Sequence, residues 1–205
     1  ITPIDVAPMA DAGITAYRAA KRAAKLLRPG AYCVILGVGG LGHIALQSLQ
    51  AISGCRTIAI DRVPSARALA KELGADFVLD GGSDVVEQVR QITGGGAQVV
   101  IDFVGELGAE NLCWQMVRKG GQLFVVGYGG KIEVPTVHLV VEEINVGGSL
   151  VGNYTELVEL MELNADGKVK MHYTQYKLAD INTALDDFKN RRFAGRGVIV
   201  PGGVL

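Results

Sequence analysis

The apolar positions of this chain form short continuous runs, and the segments between the runs space their apolar residues three and four positions apart. A short apolar run that ends in a glycine or polar cluster is typical of a strand buried on both faces. Such strands are predicted at 32–36, 57–60, 77–79, 99–104 and 123–126, and strand-like segments at 136–141, 148–151 and 198–200. The helical spacing predicts amphipathic helices over 11–27, 41–52, 65–73, 83–92, 107–118 and 155–165, and a last helix after Asp180.

The alternation of buried strands with helices predicts an α/β fold in which helices cover both faces of a parallel sheet. Because crossover connections are right-handed, such a sheet is doubly wound. The terminal segments, 1–28 and 169–205, do not follow the alternation and are expected to belong to a second domain. Residues 29–168 are then the doubly wound domain.

One turn in this alternation carries a chemical signature. It joins the first strand to its helix and has the pattern G-x-G-x-x-G, here Gly37-Val38-Gly39-Gly40-Leu41-Gly42. The first glycine makes the tight turn, the second lets the backbone approach a pyrophosphate, and the third lets helix and strand pack closely. Since a helix N-terminus favours an anion, the turn predicts a dinucleotide site of the Rossmann type. The alternative is a turn with only a structural role.

An acidic residue at the end of the second strand indicates which dinucleotide is bound. Asp61 follows Gly42 by about 20 residues, where a carboxylate accepts hydrogen bonds from the adenosine ribose hydroxyls. The same carboxylate repels a 2′-phosphate, so NAD is predicted over NADP. Arg62 leaves an alternative open, because an arginine there could receive that phosphate; otherwise its guanidinium stacks on adenine or stays in solvent.

Composition argues against several other function classes. The net charge is −1, from 20 basic and 21 acidic residues mixed along the chain, which predicts no binding to nucleic acid or to a membrane surface. No apolar run approaches the ~18 residues of a membrane span. The three cysteines form no Cys-x-x-Cys pair, so a reducing cytoplasm is the expected compartment. None of the scattered histidines is predicted to be catalytic: His43, His138 and His172.

Two Tyr-x-x-x-Lys pairs raise the alternative of a short-chain dehydrogenase. That class needs the pair on one helix turn and after the glycine turn. Tyr17 and Lys21 come before the glycine turn, and the segment that holds Tyr173 and Lys177 is predicted to be extended. Chance spacing is therefore the preferred interpretation of both pairs.

Several further motifs resemble the zinc-dependent medium-chain alcohol dehydrogenases over almost the entire chain. In order they are ADAGIT at 10–15, LRPG at 27–30, GVGGLGH at 37–43, AKELGAD at 70–76, VIDFVG at 100–105 and GRGVIVP at 195–201. The resemblance covers only the later part of such a subunit. It implies that residues 1–28 end a catalytic domain and link it to the coenzyme domain, and that 169–205 return to the catalytic domain. The front half, with the first zinc ligands and the proton relay, is expected to lie outside this sequence.

The resemblance also implies a zinc ligand. Asp11 matches the last protein ligand of the catalytic zinc, which is an aspartate in some members of the family. Catalytic zinc keeps three protein ligands and an open position, so one aspartate does not build the site. Without the resemblance, Asp11 is interpreted as a surface or helix-capping residue. Thr15, one helical turn later, matches a catalytic-site threonine that contacts the nicotinamide.

Further coenzyme contacts follow from the same resemblance. Leu41 is expected behind the nicotinamide ring, Phe103 and Val104 in the wall of the coenzyme cleft, and Arg196 against the pyrophosphate. The carboxamide is expected to meet the backbone around Val126, Gly127, Leu150 and Val151. Residues 134–150 resemble the edge through which family members pair their sheets, so a homodimer or homotetramer is expected.

Together these inferences predict the NAD(H)-binding portion of a zinc-dependent alcohol dehydrogenase. In that reaction zinc polarises the oxygen, and hydride passes between a primary or secondary alcohol and NAD. The expected substrate is a small alcohol or the matching ketone or aldehyde. Two alternatives remain, a zinc-free quinone-reductase-like member of the same superfamily and a non-enzymatic NAD-binding module. The 205-residue chain by itself is expected to bind NAD with negligible turnover.

Overall fold

Six parallel strands form the main sheet of this protein, whose computed structural model describes residues 2–202. The strands are β1 (Tyr32–Leu36), β2 (Arg56–Asp61), β3 (Phe77–Asp80), β4 (Ala97–Asp102), β5 (Val117–Val125) and β6 (Asn145–Gly148). Their order in the sheet is β3-β2-β1-β4-β5-β6, and each neighbouring pair is parallel. This is the strand order of a doubly wound dinucleotide-binding sheet, so the predicted fold is confirmed.

Helices cover both faces of this sheet. The α-helices of residues 2–202 are α1 (Pro3–Val6), α2 (Ala12–Ala24), α3 (Gly42–Ile52), α4 (Pro64–Glu72), α5 (Val85–Thr93), α6 (Ala109–Met116), α7 (Thr136–Glu142), α8 (Tyr154–Ala165) and α9 (Ile181–Lys189), and α9 packs on the small second sheet instead. Successive side chains of a strand point to opposite faces, and β1 therefore feeds two cores. Cys33 and Ile35 pack with α2, α3 and α8, whereas Val34 and Leu36 pack with α5 and α6. Among residues 2–202, no helix combines the length and the apolar character that crossing a membrane requires.

A small second sheet lies beside the main one. Its strands, β7 (Tyr173–Lys177) and β8 (Arg196–Val200), are parallel, and the predicted extended conformation of the Tyr173–Lys177 segment is confirmed. The backbone N–H of His172 donates to Nε2 of His43 at the start of α3, over 3.2 Å. This contact holds the C-terminal segment beside the glycine turn. The division of the chain at residues 28 and 168 stays a prediction.

One predicted strand is wrong in type. The segment 136–141, rich in valine, forms the helix α7 instead. The carbonyl oxygen of Pro135 accepts first-turn hydrogen bonds from the N–H groups of His138 and Leu139, and the His138 ring packs on Trp114. These contacts override the strand propensity of the valines, which depends strongly on context.

Two further elements are wrong in position. The strand predicted at 148–151 lies earlier, as β6, because its pairing with β5 ends at Gly148 and Val151 has a φ of 45° that no strand adopts. The helix predicted over 107–118 ends at Met116, and Val117 already pairs with Ala97 as the first residue of β5.

Candidate dinucleotide-binding site

A cavity of about 370 Å³ opens at the carboxyl ends of β1, β2 and β4. The strand order reverses between β1 and β4, and doubly wound sheets bind their ligands at such a switch point. Many of the residues singled out in the sequence line this cavity: Gly37, Gly39, Gly40, Leu41, Gly42, Asp61, Arg62, Phe103 and Val104. The fold thus brings together the glycine turn, the acidic residue and the end of β4.

The glycine turn has a backbone that other residues would not tolerate at two positions. Gly37 has a φ of 87°, in the left-handed region, and its N–H donates to the carbonyl oxygen of Ile60 over 2.8 Å. A Cβ on Gly42 would overlap the carbonyl oxygen of Gly37, so the first turn of α3 packs directly on the end of β1. A Cβ on Gly39 would meet no atom within 4 Å, because Gly39 faces the open cavity.

The turn also presents backbone donors to the cavity. In the part of the chain that the structure describes, the N–H groups of Gly39, Gly40 and Leu41 donate to no backbone carbonyl. They lie at the N-terminus of α3, where the helix carries a partial positive charge. This arrangement favours a phosphate or pyrophosphate at the turn.

Asp61 is held in place by the backbone around the turn. Its Oδ2 accepts a hydrogen bond from the N–H of Val38, and its Oδ1 accepts one from the N–H of Val63, both over 2.8 Å. Each oxygen keeps lone-pair capacity for a further donor. The neighbouring Arg62 donates from Nε to the carbonyl oxygen of Gly81 over 3.1 Å, which ties this arginine to the rim near β3.

Asp102 organises the loop ends that follow β4 and β5. Its Oδ1 accepts hydrogen bonds from the N–H groups of Val104 and Gly105 over 2.8 and 2.9 Å. Its carbonyl oxygen accepts from the N–H groups of Val126 and Gly127. Burial raises the pKa of the Asp102 carboxyl above its ordinary value. The residue is structural, and it fixes the backbone of two segments that the sequence assigns to the coenzyme.

The His43 ring supports the glycine turn through a hydrogen bond to the carbonyl oxygen of Gly39, a role that no motif of the sequence had indicated. The ring is fully buried, Nδ1 lies 2.7 Å from the carbonyl oxygen of Gly39, and Nε2 accepts from His172. Nδ1 therefore carries the proton. Burial lowers the pKa of His43 to about 4, with a further contribution from the nearby His172 and Arg196. The spacing of four residues between Gly39 and His43 on a helix start was the available signal.

Asp11, Thr15 and Arg196 form a second group close to the glycine turn. The Thr15 hydroxyl donates to the Asp11 carbonyl oxygen over 2.7 Å, and Arg196 Nη2 lies 3.4 Å from Asp11 Oδ2. The Arg196 side chain also runs past Gly40, where its Cδ lies 2.6 Å from the place of a Cβ. The Asp11 carboxylate is 79% exposed. Within residues 2–202, no cluster of three or more His, Cys, Asp or Glu is arranged to hold a metal ion.

Some predicted site residues do not line the cavity. These are Asp11, Thr15, Arg196, Val126, Gly127, Leu150 and Val151. Leu150 is 81% exposed, and Val126 and Gly127 directly follow β5, where their N–H groups donate to the carbonyl oxygen of Asp102. Their contacts with a coenzyme stay predictions. Conversely, the cavity is lined by residues that no motif had indicated: Glu106, Leu107, Phe188, Arg191 and Phe193.

Known proteins resemble this chain both in sequence and in structure. A sequence model described as zinc-binding dehydrogenase matches residues 40–166. An NAD-dependent alcohol dehydrogenase of Sulfurisphaera tokodaii is 35% identical over 206 residues, which cover 98% of this chain and 59% of that protein. The chain spans 56–59% of the length of the curated relatives that it matches first.

Solved structures of dehydrogenases and reductases are also similar to this chain. The alcohol dehydrogenase of the archaeon Aeropyrum pernix has a TM-score of 0.93 and 45% identity, over 96% of this chain and 58% of that one. The acetophenone reductase of Geotrichum candidum, solved in complex with NAD, has a TM-score of 0.80 and 28% identity, over 94% of this chain and 54% of that one.

Proposed function

The chain belongs to the zinc-binding dehydrogenase family, and on that premise we propose that it is the NAD(H)-binding portion of an alcohol dehydrogenase. The complete enzyme would transfer hydride between a primary or secondary alcohol and NAD. The two alternatives that the sequence left, a zinc-free reductase and a non-enzymatic module, have no observation of their own in their favour.

The observation that carries this proposal is the cavity itself. It joins the free N–H groups at the start of α3 to the Asp61 carboxylate at the end of β2. These two features suit the two ends of an adenosine diphosphate group, because the donors favour the pyrophosphate and the carboxylate favours the ribose hydroxyls. The open space at Gly39 admits a ligand against the backbone.

Bound NAD supplies the hydride acceptor, and this chain supplies binding and orientation. Gly39, Gly40 and Leu41 would donate to the pyrophosphate, while Asp61 would fix the ribose. Phe103 and Val104 would form an apolar wall of the cleft. Thr15 would contact the nicotinamide, and its hydroxyl donates to the carbonyl oxygen of Asp11 in the group beside the turn.

Zinc does not fit the described residues as a complete site. Asp11 would supply one ligand, but its carboxylate is exposed and lies beside Arg196. For the same reason, the 205-residue chain by itself is expected to bind NADH with negligible alcohol oxidation. Measurable oxidation of ethanol or 2-propanol by this chain would contradict that expectation.

The test of the proposal is coenzyme preference in the Asp61→Asn variant. The wild-type chain is expected to bind NADH at least about tenfold more tightly than NADPH, since a carboxylate repels the 2′-phosphate. The amide of the variant lacks that charge, so NADH affinity should fall by about tenfold. The ratio of the Kd for NADPH to the Kd for NADH should fall as well. Fluorescence titration of NADH and NADPH measures both effects.

Asp80→Asn is the matched control for this experiment. Asp80 ends the neighbouring strand β3 and pairs with Arg67 over 3.2 Å, but it does not line the cavity. Its variant should bind both coenzymes like the wild type. A wild-type chain that binds no NADH, or that binds NADPH more tightly, would overturn the proposed function.

We also propose that subunits pair through residues 134–150. β6 is one of the two edge strands of the main sheet, and the preceding helix α7 carries exposed valines. An edge strand with open backbone groups is suited to pairing with a second copy. A wild-type chain that sediments as a monomer would contradict this pairing.

A further inference from the structure

Arg191 lines the coenzyme cavity from the segment that connects α9 to β8. That segment passes beside the glycine turn, since the carbonyl oxygen of Gly195 lies 3.2 Å from the place of a Cβ on Gly40. Arg191 thus belongs to the wall formed by the C-terminal part of the chain, together with Phe188 and Phe193. The motifs of the sequence had not indicated any of these three residues.

The backbone of Arg191 is strained. Its φ is 54°, in the left-handed region, just after the end of α9, and its N–H donates to the carbonyl oxygen of Phe188 over 3.1 Å. Glycine is the usual residue at such a helix end. Among residues 2–202, the other non-glycine residues with positive φ are Leu107, Glu143 and Val151, and Leu107 also lines the cavity. Strain of this kind collects at ligand sites.

The guanidinium of Arg191, unlike that of Arg192, has no carboxylate partner among the described residues. Arg192 binds Asp186 over 2.6 Å and Asp187 over 3.0 Å, and so takes the nearby carboxylates. In the described range 2–202, Arg191 has no ion pair. The remaining arginine of the cavity, Arg62, is tied to a carbonyl at the ribose end. Arg196 lies beside Asp11 and does not line the cavity.

We propose that Arg191 binds the pyrophosphate of the coenzyme, opposite the N–H groups of the glycine turn; this rests on the proposed NAD(H) function. In doubly wound sheets the pyrophosphate of the coenzyme lies at the N-terminus of the helix that follows the glycine turn. A guanidinium forms two parallel hydrogen bonds with phosphate oxygens, which suits a cation already placed in the cavity wall. Arg191 would be a binding residue in addition to Arg196, whose contact with the pyrophosphate is itself a prediction.

The decisive variant is Arg191→Gly, because binding and stability should change in opposite directions. Glycine adopts the left-handed backbone without strain, so the melting temperature should stay equal or rise. Loss of the charge-assisted hydrogen bonds should raise the Kd for NADH by about tenfold or more. Fluorescence titration and thermal unfolding of the same samples give both values. A residue with only a structural role would instead lower stability and affinity together.

Two sets of controls locate the contact. Arg192→Ala alters the adjacent, ion-paired arginine and should leave the Kd for NADH unchanged. Arg191→Asn, whose side chain tolerates a left-handed backbone, should reproduce the loss of affinity. ADP-ribose keeps the pyrophosphate, so it should bind the Arg191→Gly variant more weakly than the wild type, as NADH does. Adenosine lacks the pyrophosphate and should bind the variant and the wild type equally.

The outcomes separate the two proposals. If the wild type binds NADH and Arg191→Gly binds it equally well, the role of Arg191 is overturned and the proposed function stands. If adenosine loses as much affinity as ADP-ribose, the assignment to the pyrophosphate is overturned. If the wild type binds no NADH, the proposed function falls and the role of Arg191 falls with it.

Discussion

The glycine turn and the edge of the sheet contrast in how their residues are held. In the turn, at residues 37–43, contacts within the chain fix the backbone: Gly42 packs on Gly37, and the His43 ring bonds to the carbonyl oxygen of Gly39. At the edge, residues 134–150, several apolar side chains are exposed, and Val140 is 75% exposed. The turn is thus held by contacts within the chain, whereas the edge keeps much of its apolar surface exposed.

The largest effect that tests this contrast is expected from Gly42→Ala. The added Cβ would overlap the carbonyl oxygen of Gly37, and neither atom belongs to a flexible side chain that could move aside. Overpacking of this kind should lower the free energy of unfolding by about 3 kcal/mol or more. Urea denaturation followed by circular dichroism measures the loss.

Gly39→Ala is the control in the same turn. Its Cβ would meet no atom within 4 Å, so stability should change by less than about 1 kcal/mol. NADH affinity should fall, since the methyl group would enter the space of the coenzyme. Equal losses of stability in the two variants would contradict the view that each glycine has a separate function in the turn.

The two regions also differ in how well the sequence predicted them. The strand at 32–36 and the glycine turn were predicted correctly because buried apolar runs and a glycine pattern reflect packing within the chain. The segment 136–141 was predicted as a strand, and its valines would favour one. Its helix depends on Pro135 and on the contact of His138 with Trp114, which local pattern does not reveal.

The candidate site was predictable to the extent that it rests on adjacent residues. The glycine turn, Asp61 and the end of β4 are motifs, and they line the cavity. Arg191 and His43 were missed for another reason. Arg191 reaches the cavity only because the C-terminal segment folds back beside Gly40, and one of the two partners of His43, the N–H of His172, is 129 positions away in the sequence. Contacts between segments that are far apart in the sequence cannot be recognised from the spacing of residues along the chain.

A second prediction concerns pH and the buried support of the turn. The pKa of His43 falls from 6.5 in an exposed reference to about 4 in the fold. The unfolded chain then binds more protons as the pH drops below 6.5, so the folded state loses stability in that direction. Between about pH 7.5 and pH 5, the stability advantage of the wild type over His43→Gln should shrink by about 2 kcal/mol.

Comparison of the two proteins at each pH cancels the other titrating groups, including Asp102, whose raised pKa acts in the opposite direction. His138→Gln is the control, because His138 is exposed on α7 at the edge region. Loss of its contact with Trp114 should lower the free energy of unfolding by a similar amount at every pH, in contrast to His43→Gln. Parallel pH profiles for wild type and His43→Gln would show that the burial of His43 does not contribute.

The smallest effect on stability is expected at the edge itself, in Val146→Lys. Val146 is 44% exposed on β6, so the free energy of unfolding of one subunit should change by less than about 0.5 kcal/mol. A lysine on an edge strand blocks pairing with another strand, and subunit association should therefore be lost.

Sedimentation equilibrium measures the mass of the assembly. Leu26→Lys, at a site that is 53% exposed and outside the edge region, is the control. If Val146→Lys keeps the mass of an oligomeric wild type, the exposed apolar edge does not hold the subunits together. That result would show that the exposed edge is not covered by a second copy, and the proposed difference between the turn and the edge would be wrong.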